Sequence, residues 1–339
     1  MKSRFQGCLL AFLIVFLVVS LFLNAGLIAA LFATGDEQFS TKKEPSYEEE
    51  FVEGNSKSKD KVVIIDLQGI ITSTETSQLT GSMVDEVVGK LKQAREDKNV
   101  RAVILRIDSP GGEVNASDIL YHEIKKTRDV GHKPVIVYMG SLAASGGFYA
   151  AMGSSYIIAN DTTLTGSIGV ILETLNYKDL VDKIGVKVVV FKSGKFKDLL
   201  NGGRVMTPEE AKLVQSMIDE TYDKFVGIVA RERKLDEGML RRDIADGRVL
   251  SGLEAKKDNL IDGLGYMEDV IAKSKELGKT KDPQIVKYSS QFNWARYLRM
   301  IGRSQASADR SLRLVLGPQS LQLEAGKLYF LSPHLFSGF

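Results

Sequence analysis

The chain has 339 residues, room for one large domain or two ordinary ones, and its 44% hydrophobic and 26% charged side chains suffice for a sizeable soluble core. Its 45 Lys and Arg stand against 43 Asp and Glu, and a net charge of +2 gives no electrostatic footprint for nucleic acid. Cys8 is the only cysteine, which excludes an intrachain disulfide.

No charged residue occurs from Cys8 to Ala33. The run exceeds the roughly 20 residues a helix needs to cross a bilayer. A cleavable leader would have an apolar stretch of only about 7–15 residues ending in a small-residue site, and Leu31-Phe32-Ala33 does not fit such a site. Residues 1–33 therefore read as a short stub followed by a permanent transmembrane anchor. Lys2 and Arg4 precede the run while Asp36 and Glu37 follow it, which expects the N-terminus in the cytoplasm and the remainder outside the cell membrane. Lys42 and Lys43, near the outer end, leave the opposite orientation open.

Residues 34–60 are polar, with Glu48-Glu49-Glu50 and Ser56-Lys57-Ser58-Lys59, and read as a mobile spacer. From Lys61 strand-like runs recur at Val62–Leu67, Ala102–Ile107, Val135–Met139, Tyr156–Ala159 and Val188–Phe191. Helical patterns at Met83–Ala94 and Ser117–Thr127 separate several of them. This alternation predicts an α/β domain with parallel pairing. Thr207-Pro208-Glu209-Glu210 supplies an N-cap, a proline at the first helical position and an acidic first turn for a long helix over Thr207–Lys234. Pro283–Ser289 predicts a last strand and Phe292–Ile301 a short helix. The folded domain thus spans 61–302, and 303–339 reads as an extension of unassigned role.

Four segments of this domain carry candidate chemistry. Asp108-Ser109-Pro110-Gly111-Gly112 follows a buried strand, and its glycines let backbone N–H groups turn toward a substrate. Ala143-Ala144-Ser145-Gly146-Gly147 places a serine where a strand turns into a helix, with the Gly146 N–H as a second donor. Leu164-Thr165-Gly166-Ser167-Ile168-Gly169 offers another hydroxyl among small residues. A nucleophilic serine needs a base, yet His122, His132 and His334 are the only histidines and none is placed to serve. Lys195 and Lys197, in Ser193-Gly194-Lys195-Phe196-Lys197-Asp198, are the alternatives, with Lys197 leading; a lysine acts as base only when its pKa is lowered. No metal-ligand cluster is visible, and His122 reads as an exposed helical position.

Taken in order, these motifs resemble the signal peptide peptidase A family of membrane-anchored Ser/Lys proteases, over roughly Val62 to Gly265. The resemblance implies a ClpP/crotonase-like spiral of ββα units. It implies Ser145 as nucleophile, Lys197 as general base, Ser167 as the hydroxyl orienting that lysine, and Gly112 and Gly146 as oxyanion donors. It implies no metal or cofactor. Substrates would be cleaved signal peptides left in the membrane, and the partners other copies of the chain in a ring whose sites are shared between protomers. Two other readings stay open: a crotonase-like enzyme acting on acyl-CoA, since glycine-rich oxyanion loops also serve thioester enolates, and a non-enzymatic membrane scaffold.

Overall fold

The computed structural model describes residues 12–26, 46–74, 82–290 and 329–331. The chain falls into two compact units, Met1–Pro45 and Ser46–Phe339. In the first, residues 12–26 form helix α1, with Phe12, Phe16 and Phe22 exposed. The uncharged run read as an anchor begins before this helix and ends after it, and those flanks lie outside the described residues. Among the described residues no helix is long and apolar enough to cross a membrane.

The second unit is mixed α/β. Its elements are β1 (Tyr47–Gly54), β2 (Lys61–Gln68), α2 (Met83–Glu96), β3 (Val100–Ser109), β4 (Gly111–Glu113), α3 (Val114–Asp129), β5 (Val135–Ala144), α4 (Gly146–Ala151), β6 (Tyr156–Ala159) and β7 (Leu164–Gly166). They continue with α5 (Lys178–Lys183), α6 (Pro208–Arg233), α7 (Glu237–Asp243), β8 (Val249–Ser251), α8 (Gly252–Lys257), β9 (Gly263–Leu264), α9 (Met267–Leu277), β10 (Gln284–Ser290) and β11 (Tyr329–Leu331). Nine strands make one sheet in the order β1-β10-β2-β3-β5-β6-β9, with β7 beside β5 and β8 beside β7. The centre, β10-β2-β3-β5-β6, is parallel throughout.

Central parallel strands are covered on both faces, so they are apolar in continuous runs. Alternation sorts their side chains. Val63, Ile65 and Leu67 of β2 and Val103, Leu105 and Ile107 of β3 join one core with α2, α3, α4 and α6. Val62, Ile64, Ala102 and Ile104 face the other way, toward Val270 and Ile271 of α9. Phe225 of α6 meets the Tyr149 ring of α4 edge-on at 4.9 Å, and Tyr149 donates its hydroxyl to Asp118 of α3 at 2.6 Å. Those contacts fix the helix that follows Ser145.

Three expectations change. The spacer predicted over 34–60 does not persist to its end: Tyr47–Gly54 is an edge strand paired antiparallel to β10. Tyr47 is its one buried residue, tied by Gln93, which accepts from the Tyr47 N–H at 2.8 Å and donates to its carbonyl at 3.0 Å. The exposed Glu48, Glu49, Glu50 and Glu53 are the charges that keep an edge from pairing further, and composition alone cannot tell such an edge from a linker. Val188–Phe191 is not a strand; it lies exposed, Phe191 at 96%, with no strand beside it among the described residues. The extension 303–339 contributes β11, which pairs with β4. The helix predicted over Phe292–Ile301 lies outside the described residues.

Candidate active site

Ser109, at the end of β3, is in register with Ala143 near the end of β5. The glycine turn and the serine turn therefore leave the sheet side by side at the carboxyl ends of neighbouring parallel strands, where open α/β sheets build their sites. Ser145 caps α4 with φ 53° and ψ −113°, a conformation rare for a side-chain-bearing residue. Its N–H donates to the Gly166 carbonyl at 2.8 Å, and its own carbonyl accepts from Tyr149 at 2.8 Å. The side chain is fully buried, and its Oγ has no hydrogen-bond partner among the described residues. A buried hydroxyl without a partner costs free energy, a cost on top of the backbone strain that packing by itself does not explain.

Gly146 and Gly112 lie against each other. A Cβ on Gly146 would sit 3.0 Å from the Gly112 nitrogen and 2.4 Å from Ser117 Oγ. A Cβ on Gly112 would meet the Ile71 carbonyl at 1.9 Å, so only glycine fits. Gly146 opens α4, where N–H groups lack intrahelical acceptors. Both candidate oxyanion donors thus adjoin Ser145. Ser167 follows β7, whose Gly166 is in register with Ala144, so the two serines continue adjacent parallel strands. Ser167 shares the φ of 53°, is nearly buried, and is held by its N–H to the Arg248 carbonyl at 2.8 Å.

Lys197 stands apart from this cluster. It is exposed, on a stretch without helix or strand that leads into α6, and it makes no hydrogen bond to Ser145 Oγ. Its neighbours do distinguish it from Lys195. The Lys195 ammonium pairs with Glu209 and lies 5.3 Å from the Phe196 ring centroid; Lys197 has no ion pair among the described residues. Next in sequence, Asp198 accepts from Lys192 at 2.6 Å and from Arg204 Nε and Nη2 at 2.8 and 2.9 Å. Arg204 also donates to both oxygens of Glu210, through Nη1 at 2.8 Å and through Nη2. Hydrogen bonds from Arg204, then Lys192, hold the Asp198 carboxyl far below the usual carboxylate range. Those from Arg204, then the Thr207 N–H, hold Glu210 down to about 2.

The sequence did not single out two further features. One is this Asp198–Arg204–Glu210 network, whose only legible part was the helix cap. The other is β11. Glu113 donates to the Ile71 carbonyl and Ile71 to the Gly111 carbonyl, both at 2.8 Å, so strand alternation turns the Gly112 N–H and carbonyl the opposite way. Phe330 is the register partner on that side. Tyr329 pairs with Ile171 through bonds of 3.1 and 3.2 Å. An extended stretch of chain therefore lies between β4 and Ile171, along the edge that presents a candidate oxyanion donor. Among the described residues no group of His, Cys, Asp and Glu is arranged to hold a metal ion.

The pattern of peptidase family S49 matches residues 128–281, a span that includes Ser145, Ser167 and Lys197. A putative signal peptide peptidase SppA of Enterococcus faecium is 35% identical over 71% of this chain and 70% of its own length. A putative protease of Synechocystis is 40% identical over 59% of this chain and 71% of its own. The chloroplastic serine protease SPPA of Arabidopsis thaliana is 34% identical over 78% of this chain and 40% of its own.

Proposed function

Since the chain belongs to peptidase family S49, we propose that it is a serine endopeptidase in which Ser145 is the nucleophile and Lys197 the general base, and that it degrades signal peptides left in the membrane after their release. The observation that carries this reading is the buried, unpartnered Ser145 Oγ on a strained turn against Gly112 and Gly146. Neutral Lys197 takes the Ser145 proton, and Oγ attacks a peptide carbonyl. The N–H groups of Gly112 and Gly146 stabilise the resulting oxyanion. The lysine returns the proton to the leaving amine, and water releases the acyl group from Ser145 by the same steps. Ser167 orients the lysine. No step requires a cofactor.

The substrate binds as an added strand. β11 supports this by pairing with β4 and Ile171 in the slot beside the donors, and a peptide substrate takes the same edge in its place. The lysine comes from a neighbouring protomer of a ring-like homo-oligomer. Support comes from the missing Ser–Lys contact within one chain and from the stretch around Lys197, which leaves Leu175, Leu180, Val189, Phe191 and Val205 exposed. An apolar surface of that extent is the signature of an interaction site. We also propose that the uncharged N-terminal run anchors the chain in the cell membrane with the catalytic unit outside, near its substrates, and that the parallel sheet is built as a spiral of ββα units. Membership in a peptidase family removes the ground for an acyl-CoA or scaffold reading. The test is hydrolysis of a hydrophobic signal-peptide sequence by wild type and by Ser145→Ala of equal stability; equal rates would end the proposal.

A further inference from the structure

The residue that follows the proposed base is an acid, and its carboxylate is fully engaged elsewhere. Sequence neighbours of opposite charge readily pair in this fold. Arg128 Nε reaches Asp129 at 2.6 Å, and Lys178 Nζ lies 3.8 Å from Asp179. Asp198 nonetheless gives nothing to Lys197. Both of its oxygens face Arg204, one of them also faces Lys192, and its backbone carbonyl accepts from Arg204 at 3.2 Å. The Asp198 side chain is 9% exposed and that of Glu210 is 4%, burial that charged groups accept only when paired.

Arg204 is the centre of this arrangement. Its planar fork reaches both oxygens of each of two carboxylates, four bonds where an ammonium has three donors. Glu210 closes the capping box of α6, taking the Thr207 N–H at 2.9 Å and the Thr207 hydroxyl at 3.0 Å. The far half of α6 is set in the core through Phe225, Val226, Ile228 and Val229. Residues 190–197 are exposed, and this chain of bonds joins the loop to α6 beside the exposed Lys195–Glu209 pair.

We propose that Arg204 is a positioning residue for the base: it holds Asp198 against Glu210 at the start of α6, and so fixes the Lys197 loop while denying Lys197 the carboxylate next to it. This rests on the reading of Lys197 as the base. A lysine paired with a carboxylate keeps its proton and cannot act as one. The other charged side chains of the segment 192–210 are Lys192, Lys195, Asp198, Arg204, Glu209 and Glu210. Lys195 and Glu209 satisfy each other. With Arg204 in place, Asp198 and Glu210 are satisfied too, and no carboxylate of the group is left for Lys197.

The experiment uses the full-length assembled protein and two readouts. One is the pH profile of peptidase kcat/KM. The other is the pH dependence of Lys197 acetylation by trace acetic anhydride, read by mass spectrometry, which does not need activity. Arg204→Gln leaves Asp198 with Lys192 alone on one oxygen and should move both midpoints upward by about one pH unit. That is roughly a tenfold loss of kcat/KM at neutral pH, recovered in alkali. Arg204→Lys should reverse part of the shift, and Asp198→Asn with Arg204→Gln should abolish most of it, because the Glu210 that Arg204 also releases stays bonded to Thr207. An unmoved acetylation midpoint in Arg204→Gln, with activity lowered equally at every pH, overturns the proposal and leaves Arg204 a structural clamp. If Lys197→Ala retains activity while the acetylation midpoint still moves in Arg204→Gln, the reading of Lys197 as base fails, whereas the shielding by Arg204 stands.

Discussion

At the residue scale the site depends on positions where one side chain, or none, fits. Ser145→Ala should remove hydrolysis by ~10³-fold or more while circular dichroism and melting stay near wild type, since the lost hydroxyl had no partner to leave behind. Lys197→Ala should do the same, and Lys195→Ala should not, because Lys195 is committed to Glu209. Loss of activity in Lys195→Ala alone would reverse the assignment. Ser167→Ala should weaken turnover without abolishing it. One hydrogen bond to a charged group is worth about 1.5–3 kcal/mol, so kcat should drop roughly tenfold to a hundredfold; an unchanged kcat would remove Ser167 from the mechanism.

At the scale of elements, β1 and the start of α6 carry the testable consequences. A chain begun at Lys61 lacks β1, leaving the β10 edge bare and the Tyr47 site empty. Burial of one such aromatic is worth about 2 kcal/mol, so that chain should melt measurably below one begun at Ser46; equal melting temperatures would show β1 to be dispensable. The Asp198–Arg204–Glu210 link has a definite pH sign. Both carboxyls are held below their ordinary values, so their contribution is complete above about pH 5, where unfolded carboxyls are already ionised. It is lost as pH falls through the depressed native values. Protection of residues 190–206 from hydrogen exchange, taken relative to the intrinsic rate at each pH, should therefore hold at neutral pH and fall only in acid. In Arg204→Gln it should be lost at neutral pH already.

At the scale of the whole molecule, the separation of Ser145 from Lys197 decides the expected behaviour. Co-expressed Ser145→Ala and Lys197→Ala chains should regain peptidase activity, since a mixed ring contains junctions where an intact serine meets an intact lysine. Mixed oligomers without activity would mean that each site is completed within one chain. Activity should also climb with pH from neutral into the mildly alkaline range. A lysine ordinarily titrates near about 10.4 and serves as a base only in its neutral form. A rate that peaks near pH 5 and declines above it would rule out a lysine base.

The sequence by itself determined the parallel core. The apolar runs at 62–67 and 102–107, each broken by one charged residue, Asp66 and Arg106, which pair with each other, and the run at 135–139 read as strands covered on both faces, and each is such a strand. It also determined the serine and glycine segments, because tight turns and unhindered backbone N–H groups restrict the residues that fit. It did not reveal β1 or β11. An edge strand is held by backbone hydrogen bonds that any side chain permits, and the four glutamates of β1 disguise it as linker. Nor did it show that Val188–Phe191 lacks a partner strand among the described residues, since β-branched residues favour an extended chain whether or not another lies beside it. Only the tertiary structure brought Gly112, Ser145 and Ser167 together from three strand ends, with no bond from Lys197 to Ser145 Oγ. Adjacency across a sheet depends on strand order and register, which arise from the packing of the whole unit and are written in no local stretch of residues.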